Sequence, residues 1–239
     1  MPLAIRHRND PAPDLTPLPG MIVRHETSPA FMAALQGRTQ AEMAERFADG
    51  HRAYVAWCAG KPAAWGWVAT RTARIGELDS TVTIPTGERY LWNFVTLKSH
   101  RGQGVYPRLL DAIVKSEDAD RFWIAYAPEN HASGAGIAKA GFAVAAELSF
   151  DEAGHPAVRG EADGGGALAS GVLGLPEAEA LAPCWRCARS RDVMAGKGPS
   201  HTCAPGRCTC DYQRPDITCA GLPAAGPPSR PVPLGRTAA

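Results

Sequence analysis

The sequence predicts a mixed α/β fold, a sheet flanked by helices, followed by a small cysteine-rich C-terminal segment. Residues 52–71 form two β-rich runs around a Gly-Lys-Pro turn, which is typical of a hairpin. Residues 90–97, aromatic and β-branched, predict a strand that passes through a glycine-containing turn into an amphipathic helix. Of the seven cysteines, six lie after residue 183.

The composition is that of an ordinary globular protein. The 239 residues are 45% hydrophobic and 21% charged. No apolar run approaches the roughly 20 residues that a membrane helix needs. The proline-rich start, with its short apolar stretch, does not resemble a signal peptide. We therefore expect a cytoplasmic protein with no membrane partner.

The net charge of +1 conceals an uneven distribution. Residues 1–183 carry 17 Lys and Arg against 21 Asp and Glu, whereas residues 184–239 carry 8 against 3. Cysteine is divided at the same place. Two parts with different chemistry are indicated.

The first elements are predicted from turn and capping residues. Residues 1–20 hold five prolines and predict an extended lead-in, and residues 21–26 predict the first strand. Ser28 is a candidate N-cap for a helix that Gly37 would end. A second helix follows in TQAEMAERFADG, which begins with the spacing of a capping box.

The middle of the chain alternates strands and helices. The predicted elements are a less regular continuation of the sheet over 73–88, a helix over 106–119, a strand over 121–127, a glycine-diluted helix over 130–141 and a strand over 142–150. Because Pro107 disfavours the α region for Tyr106, the first of these helices is expected to start at Pro107.

After Phe150 the pattern weakens. Residues 151–183 are predicted to be a linker, with ALASGVLGL as a candidate last strand. Residues 184–219 form the cysteine-rich segment, and residues 220–239 are rich in Pro, Gly, Ala and Arg and predict a disordered tail.

The turn after the central strand predicts anion binding. Backbone amides at a helix N-terminus have no partner within the helix, and the helix dipole adds partial positive charge there. Gly102 and Gly104 let a phosphate come close, and Arg101 supplies a pairing charge. The spacing fits neither a Rossmann fingerprint nor a Walker loop, since the third glycine and the Gly-Lys-Ser/Thr are missing.

Two motifs resemble the GNAT superfamily of acetyltransferases. Its R/Q-x-x-G-x-G/A signature is similar to Arg101, Gly102, Gln103, Gly104, Val105 and Tyr106. Its later asparagine-to-phenylalanine segment is similar to Asn130, Ser133, Lys139, Gly141 and Phe142. The resemblance covers roughly residues 21–150, and the two motifs occur in the order that the family has.

The resemblance implies a bent mixed sheet flanked by helices, with a V-shaped opening beside the central strand for the arm of acetyl-CoA. It implies an N-acyltransferase that uses acyl-CoA and a small amine or peptide acceptor. Backbone groups of Phe94, Val95 and Thr96 would bind the arm and the acyl carbonyl. Residues 101–106 would hold the pyrophosphate, and Asn130 would contact the arm from across the opening.

The chain departs from the family at the expected acid and at the last glycine of the signature. Many members place a tyrosine seven residues after the asparagine to protonate the leaving thiolate, and Ile137 stands there. Ser133 is the first candidate to replace it and Tyr126 the second, although Ser133 could instead only contact the coenzyme. Tyr106 stands where the signature has a small residue, so it would crowd the pyrophosphate or donate to a phosphate.

The sequence does not single out a general base. Glu77, Asp79 and Glu88 precede or begin the central strand, and each could face the substrate opening. Of the three we take Glu88 as the candidate. The alternative for each is a solvated carboxylate in a loop.

The cysteine-rich segment has the spacing of a metal site with one irregular half. The candidate ligands are Cys184, Cys187, His201, Cys203, Cys208 and Cys210. In a reducing compartment a structural zinc is favoured over disulfides. A nucleic-acid-binding module is the functional alternative, although its arginines are scattered and lack interleaved aromatic residues.

Three functions follow from these patterns. The first is the N-acyltransferase. The second is a catalytically inactive protein of the same fold that binds coenzyme A or a partner. The third is a nucleic-acid-binding protein that works through its cysteine-rich segment.

Overall fold

The computed structural model describes residues 1–161 and 164–182. The strands in these residues are β1 (Pro2–His7), β2 (Met21–Glu26), β3 (Arg52–Cys58), β4 (Lys61–Ala69), β5 (Thr72–Ile75), β6 (Ser80–Thr83), β7 (Glu88–Thr96), β8 (Arg121–Ala125), β9 (Ala143–Phe150) and β10 (Pro156–Gly160). The α-helices in the same ranges are α1 (Pro29–Gln36), α2 (Gln40–Ala48), α3 (Val105–Ser116), α4 (His131–Lys139) and α5 (Gly165–Leu173).

Eight strands form one sheet in the order β10-β9-β1-β8-β7-β4-β3-β2. β7 and β8 are parallel, and the other neighbouring pairs are antiparallel. β5 and β6 form a separate hairpin, so the expectation that residues 73–88 continue the main sheet was wrong for these two strands.

Helices cover both faces of the sheet. Leu91 of β7 packs in one buried cluster with Leu110 of α3 and Ile137 of α4. Its neighbour Tyr90 packs in another cluster with the β5–β6 hairpin and with Leu173 of α5. Because successive residues of a strand point to opposite faces, the two clusters lie on opposite sides. The predicted mixed sheet flanked by helices is confirmed.

The N-terminal residues form an interior strand of the sheet. β1 lies between β8 and β9 and is antiparallel to both, and its Leu3 and Ala4 are buried. The predicted lead-in over residues 1–20 was therefore wrong for Pro2–His7, and residues 21–26 form the second strand. Only one of the five prolines lies in β1, at its first residue, where a missing N–H is tolerated.

The predicted linker contains two regular elements, β10 and α5. The candidate last strand ALASGVLGL lies mostly within α5, so that prediction was wrong. Small residues let this helix approach β9 closely, since a Cβ added at Gly165 would lie 2.2 Å from the carbonyl oxygen of Ala145. The glycines that suggested a linker here reflect close packing.

The first two helices begin as the capping residues predict. The Ser28 side chain accepts a hydrogen bond from the third residue of α1, and Gly37 ends this helix with a φ of 63°. Thr39 and Glu42 make both hydrogen bonds of a capping box at the start of α2.

The cysteine-rich segment 184–219, with its six predicted metal ligands, and the tail 220–239 lie outside the described residues. Within residues 1–161 and 164–182, no group of three His, Cys, Asp or Glu could hold a metal ion. None of the helices in these ranges is long and apolar enough to cross a membrane.

A buried carboxylate joins α3 to the sheet. Glu117 follows α3, and its side chain is fully buried. Its oxygens accept hydrogen bonds from the Tyr54 hydroxyl at 2.6 Å and from Arg52 and Arg89 at 2.9 Å each. Burial by itself would raise the pKa of Glu117, but the hydrogen bonds from Tyr54 and Arg89 and the charges of both arginines outweigh it and lower the pKa.

Replacing Glu117 with Gln is expected to lower the free energy of unfolding at neutral pH by about 3 kcal/mol, because a buried network loses its only anion. Since the pKa is lowered on folding, this stabilisation is present above the unfolded value and is lost as the pH falls through the folded value. Urea unfolding at pH 7 and below about pH 4 should show the difference from the original protein shrinking in acid.

The matched control is Glu147→Gln, which breaks a half-exposed pair with Arg159. We expect this change to cost below about 1 kcal/mol. Equal losses for the two variants would contradict the role given to Glu117.

Candidate active site

β7 and β8 pair over only part of their lengths. Glu88–Leu91 pair with Arg121–Ile124, but β7 continues beside β4 as far as Thr96. Residues 92–96, which we call the gap segment, therefore have no partner on β8. At Asn93 the backbone φ is 52°, and the pairing with β4 shifts register nearby. An irregularity of this kind bends a strand, so a gap opens between β7 and β8.

The three residues predicted to offer backbone groups to a substrate, Phe94, Val95 and Thr96, lie in the gap segment. One edge of this segment pairs with β4, and the other faces the gap. The Phe94 ring packs directly on Gly66, where an added Cβ would lie 1.9 Å from it. Only glycine fits there, and the fit fixes the ring.

The predicted anion-binding turn follows β7 after a short 3-10 turn. Gly102 and Gly104 have φ values of 75° and 72°, which glycine adopts at low cost. α3 begins at Val105 and not at Pro107, because the proline is accommodated in the first turn, where its missing N–H needs no partner. Gly104 is the N-cap of α3, and no described side chain makes a capping hydrogen bond there. The first backbone amides of α3 are therefore available to a ligand.

Two side chains brace the turn from within. Arg101 donates through Nε to the Thr96 carbonyl at 3.1 Å, and Gln103 donates through Nε2 to the Ser99 carbonyl at 2.8 Å. No described atom lies within 4 Å of the position that a Cβ at Gly102 would take. The turn thus has a fixed shape with space beside it, which fits a phosphate group.

Tyr106, the second residue of α3, points towards α4. Its ring centroid lies 5.6 Å from that of Phe94. A Cβ added at Gly136 of α4 would lie 2.5 Å from the Tyr106 ring. Burial raises the pKa of Tyr106 to about 12, and the nearby Ser133 side chain opposes the rise. Because the Tyr106 side chain points towards α4, it neither crowds a pyrophosphate at the turn nor donates a hydrogen bond to one.

The start of α4 lies beside Tyr106. Asn130 is the N-cap, and its Oδ1 accepts a hydrogen bond from the Ser133 amide at 3.1 Å. Ser133, on the first turn, is half-buried. Ile137, which stands at the position of the family's tyrosine, is 1% exposed and belongs to the core.

Tyr126 lies against the same turn of α4. A Cβ added at Gly134 would lie 2.7 Å from its ring, and burial raises its pKa. Ser133 therefore lies beside two phenols: Tyr126 packs on the following residue, Gly134, and Tyr106 lies near the Ser133 side chain. The structure brings both sequence-predicted acids, Ser133 and Tyr126, to the start of α4.

Glu88 is not part of this site. It begins β7, eight residues before Thr96, which corresponds to roughly 26 Å along a strand. Its side chain is buried, with Oε1 accepting from Arg121 at 2.6 Å and Oε2 from the Trp123 indole at 2.7 Å. The prediction of Glu88 as the base was wrong, because its carboxylate is engaged where β7 and β8 are still paired.

A cavity of about 260 Å³ lies where β7 and β8 part. Its lining includes Tyr90, Trp92 and Asn93 of β7, Tyr126 after β8, and Arg74 and Glu77 of the β5–β6 hairpin. Of the three carboxylates considered from the sequence, Glu77 is the one that lines this cavity. Asp79 accepts a hydrogen bond from Arg74 at 2.6 Å. Sequence reasoning missed Arg74 and Asn93, since neither stands in a motif.

No protein-family model matches the chain, and no curated protein matches its sequence. The solved structures similar to it include acetyltransferases of the GNAT superfamily. A GCN5-related N-acetyltransferase from Kribbella flavida is 20% identical with a TM-score of 0.35, over 52% of this chain and 46% of that one. A GNAT-family acetyltransferase from Colwellia psychrerythraea is 18% identical with a TM-score of 0.40, over 60% and 52%.

A third structure is AAC(6')-Iy in complex with the bisubstrate analog CoA-S-monomethyl-acetylneamine. It is 18% identical with a TM-score of 0.43, over 55% of this chain and 96% of that one. The chain spans about half the length of the first two proteins. These similarities carry no argument about substrate or activity. A functional proposal for this chain therefore rests on its own geometry.

Two helical glycines test the packing of Tyr106. Exchange for Ala favours a helix by up to about 1 kcal/mol at either position. At Gly171 of α5 an added Cβ meets no described atom within 4 Å, so Gly171→Ala should be neutral or stabilising. At Gly136 an added Cβ meets the Tyr106 ring. We therefore expect urea unfolding of Gly136→Ala to show a free energy of unfolding lower by about 1–3 kcal/mol. A stabilised Gly136→Ala variant would contradict this contact.

Proposed function

We propose that the chain is an acyl-CoA-dependent N-acyltransferase, which moves an acetyl or another acyl group to an amine. One observation carries the proposal: the gap segment of β7 leads through eight residues, 97–104, into the N-terminus of α3, which no described side chain caps. A substrate with a long amide-containing arm and a pyrophosphate at its far end requires these two features side by side.

The pyrophosphate would lie at the turn of residues 101–106. Helix N-terminal amides and the dipole of α3 favour an anion there. Gly102 leaves room for it, and Arg101, at the exposed side of the turn, adds positive charge. Most of these interactions with the anion come from backbone amides and the helix dipole, and few come from side chains.

The arm would pair with the gap segment. An extended amide chain can add to a strand edge through main-chain hydrogen bonds, and Phe94–Thr96 present such an edge to the gap. An N–H of the same segment would stabilise the oxyanion that forms when an amine attacks the thioester. Asn130 would contact the arm through its amide nitrogen, since its Oδ1 already caps α4.

The leaving thiolate would receive its proton from Ser133. The hydroxyl lies on the first turn of α4, and the Tyr106 phenol lies near it. Tyr126 is the second candidate for the same step. With Ile137 in the core, these groups would replace the tyrosine that many family members carry on this helix.

Binding at the turn can be tested with two variants of one residue. Asp and Asn both tolerate the positive φ of Gly102, and an added Cβ there meets no other residue within 4 Å, so Gly102→Asp and Gly102→Asn differ mainly in charge. Calorimetry should show acetyl-CoA binding at least about tenfold weaker in the Asp variant than in the Asn variant, which is about 1.4 kcal/mol. Equal affinities would contradict a pyrophosphate at this turn.

The acid can be tested by Ser133→Ala and Tyr126→Phe. We expect Ser133→Ala to lower the rate of coenzyme release in the presence of an amine panel by roughly 10²-fold or more, with acetyl-CoA affinity nearly unchanged. Unchanged turnover in Ser133→Ala together with a loss in Tyr126→Phe would transfer the role to Tyr126.

Acetyl-CoA binding decides between the wider alternatives. If the full chain binds no acetyl-CoA at millimolar concentration, the proposal fails. Binding without coenzyme release would instead favour a catalytically inactive protein of this fold. A structural zinc at the six C-terminal ligands stays a separate prediction, which elemental analysis of the purified reduced protein tests.

A further inference from the structure

β7 contains one extra residue at the start of the gap segment. On β4, the residues on either side of Gly66 pair with Trp92 and Val95 of β7. Asn93 and Phe94 therefore lie together opposite Gly66. Such a β-bulge bends the strand and redirects the groups that follow it. Asn93 has a left-handed backbone, with a φ of 52°, which asparagine tolerates. The bulge therefore sets the direction in which residues 94–96 face the gap.

The last residue of α1, Gln36, reaches this bulge. Its Oε1 accepts hydrogen bonds from Nδ2 of Asn93 at 3.4 Å, from Nε1 of Trp67 at 3.4 Å and from Nη1 of Arg46 at 3.5 Å. A carbonyl oxygen has two lone pairs, so three donors share it and each distance is long. Trp67 belongs to β4 and Asn93 to β7. One side-chain oxygen of α1 therefore joins both strands at the bulge.

Both ends of this contact are fixed. Gly37, with a φ of 63°, ends α1 directly after Gln36. Trp67 is fully buried, so its indole N–H requires a protein partner, and Gln36 supplies it. The Arg46 Cζ lies 4.8 Å from the centroid of the Trp92 ring and 5.2 Å from that of Trp67, and it closes the contact on the side of α2. The Gln36 amide is therefore held against the bulge by α1, α2 and β4 together.

We propose that Gln36 is a positioning residue for the gap segment. Through Asn93 it holds the bulge that directs the backbone of residues 94–96 to the gap, so an acyl-CoA arm meets a preformed edge. The inference rests on the acyl transfer proposed above and adds a residue that acts through Asn93 and not on the substrate. The turn of residues 101–106 is braced separately, by Gln103 and Ser99. Loss of Gln36 should therefore weaken binding of the arm much more than binding of the pyrophosphate.

The experiment compares three variants of the full chain. Gln36→Met has a similar length but no oxygen, whereas Gln36→Glu keeps an acceptor oxygen and can pair with Arg46. Gln40→Met makes the first exchange at an exposed position of α2 and serves as the matched control. Calorimetry measures the binding of acetyl-CoA and of 3′-phosphoadenosine 5′-diphosphate, which is coenzyme A without its arm.

We expect Gln36→Met to bind acetyl-CoA at least about tenfold more weakly than the original protein, which corresponds to about 1.4 kcal/mol. Its affinity for the nucleotide without the arm should stay within about twofold, because the turn keeps its own contacts. Gln36→Glu should bind acetyl-CoA within about threefold of the original protein, since a carboxylate oxygen still accepts from Asn93. Gln40→Met should bind both ligands as the original protein does.

Hydrogen exchange measures the bulge without any ligand. In Gln36→Met the backbone amides of residues 93–97 should exchange at least about fivefold faster than in the original protein, whereas those of Val105–Ser116 should keep their rates.

A second variant tests the link through Asn93. Asn93→Gly permits the positive φ but removes the amide that meets Gln36. When Asn93→Gly is combined with Gln36→Met, the two losses in acetyl-CoA affinity should not add, because both remove the same contact.

Three results would overturn the inference. They are equal acetyl-CoA affinities in Gln36→Met and Gln40→Met, an equal loss for the nucleotide without the arm, and additive losses in the double variant. The proposed function fails separately, if the original protein binds no acetyl-CoA. The exchange rates then decide the inference by themselves: faster exchange of residues 93–97 in Gln36→Met supports it, and unchanged exchange overturns it.

Discussion

The parting of two parallel strands is the constraint on which the candidate site depends. β7 and β8 share hydrogen bonds up to Leu91, and the irregularity at Asn93 then bends β7 while β4 continues beside it. A parallel pair that stayed in register would leave no backbone edge for a ligand. The gap segment and the cavity both lie at this separation, and the glycine turn follows the end of β7.

Buried charges hold the helices that complete the site. Arg6 of β1 is 2% exposed, and its Nη1 lies 2.9 Å from an Asp111 oxygen of α3 and 2.8 Å from the Ala140 carbonyl at the end of α4. A buried cation needs such partners, so its position fixes both helices relative to the central strand. Glu117 connects the other end of α3 to β3 and β7 in the same manner.

Contacts between glycines and aromatic rings set the walls of the gap. Phe94 packs on Gly66, Tyr106 on Gly136, and Tyr126 packs on the glycine that follows Ser133. In each case a Cβ would meet the ring, so the ring position depends on the absence of a side chain on a neighbouring element. The groups proposed to act on the thioester are therefore positioned by close packing between regular elements, as a precise site requires.

Local sequence by itself determined the capped helices α1 and α2, the β3–β4 hairpin, the strand β7 and the glycine turn, because each is specified by residues close together in the chain. The central position of β1 and the helix α5 required tertiary structure, since long-range pairing and close packing override proline and glycine content. The same holds for the site. Motif spacing indicated Ser133 and the turn, but only the fold decided that Glu88 is buried in an ion pair and that Tyr106 points to α4. The fold also brought Glu77 to the cavity, because these contacts join residues that are distant in sequence.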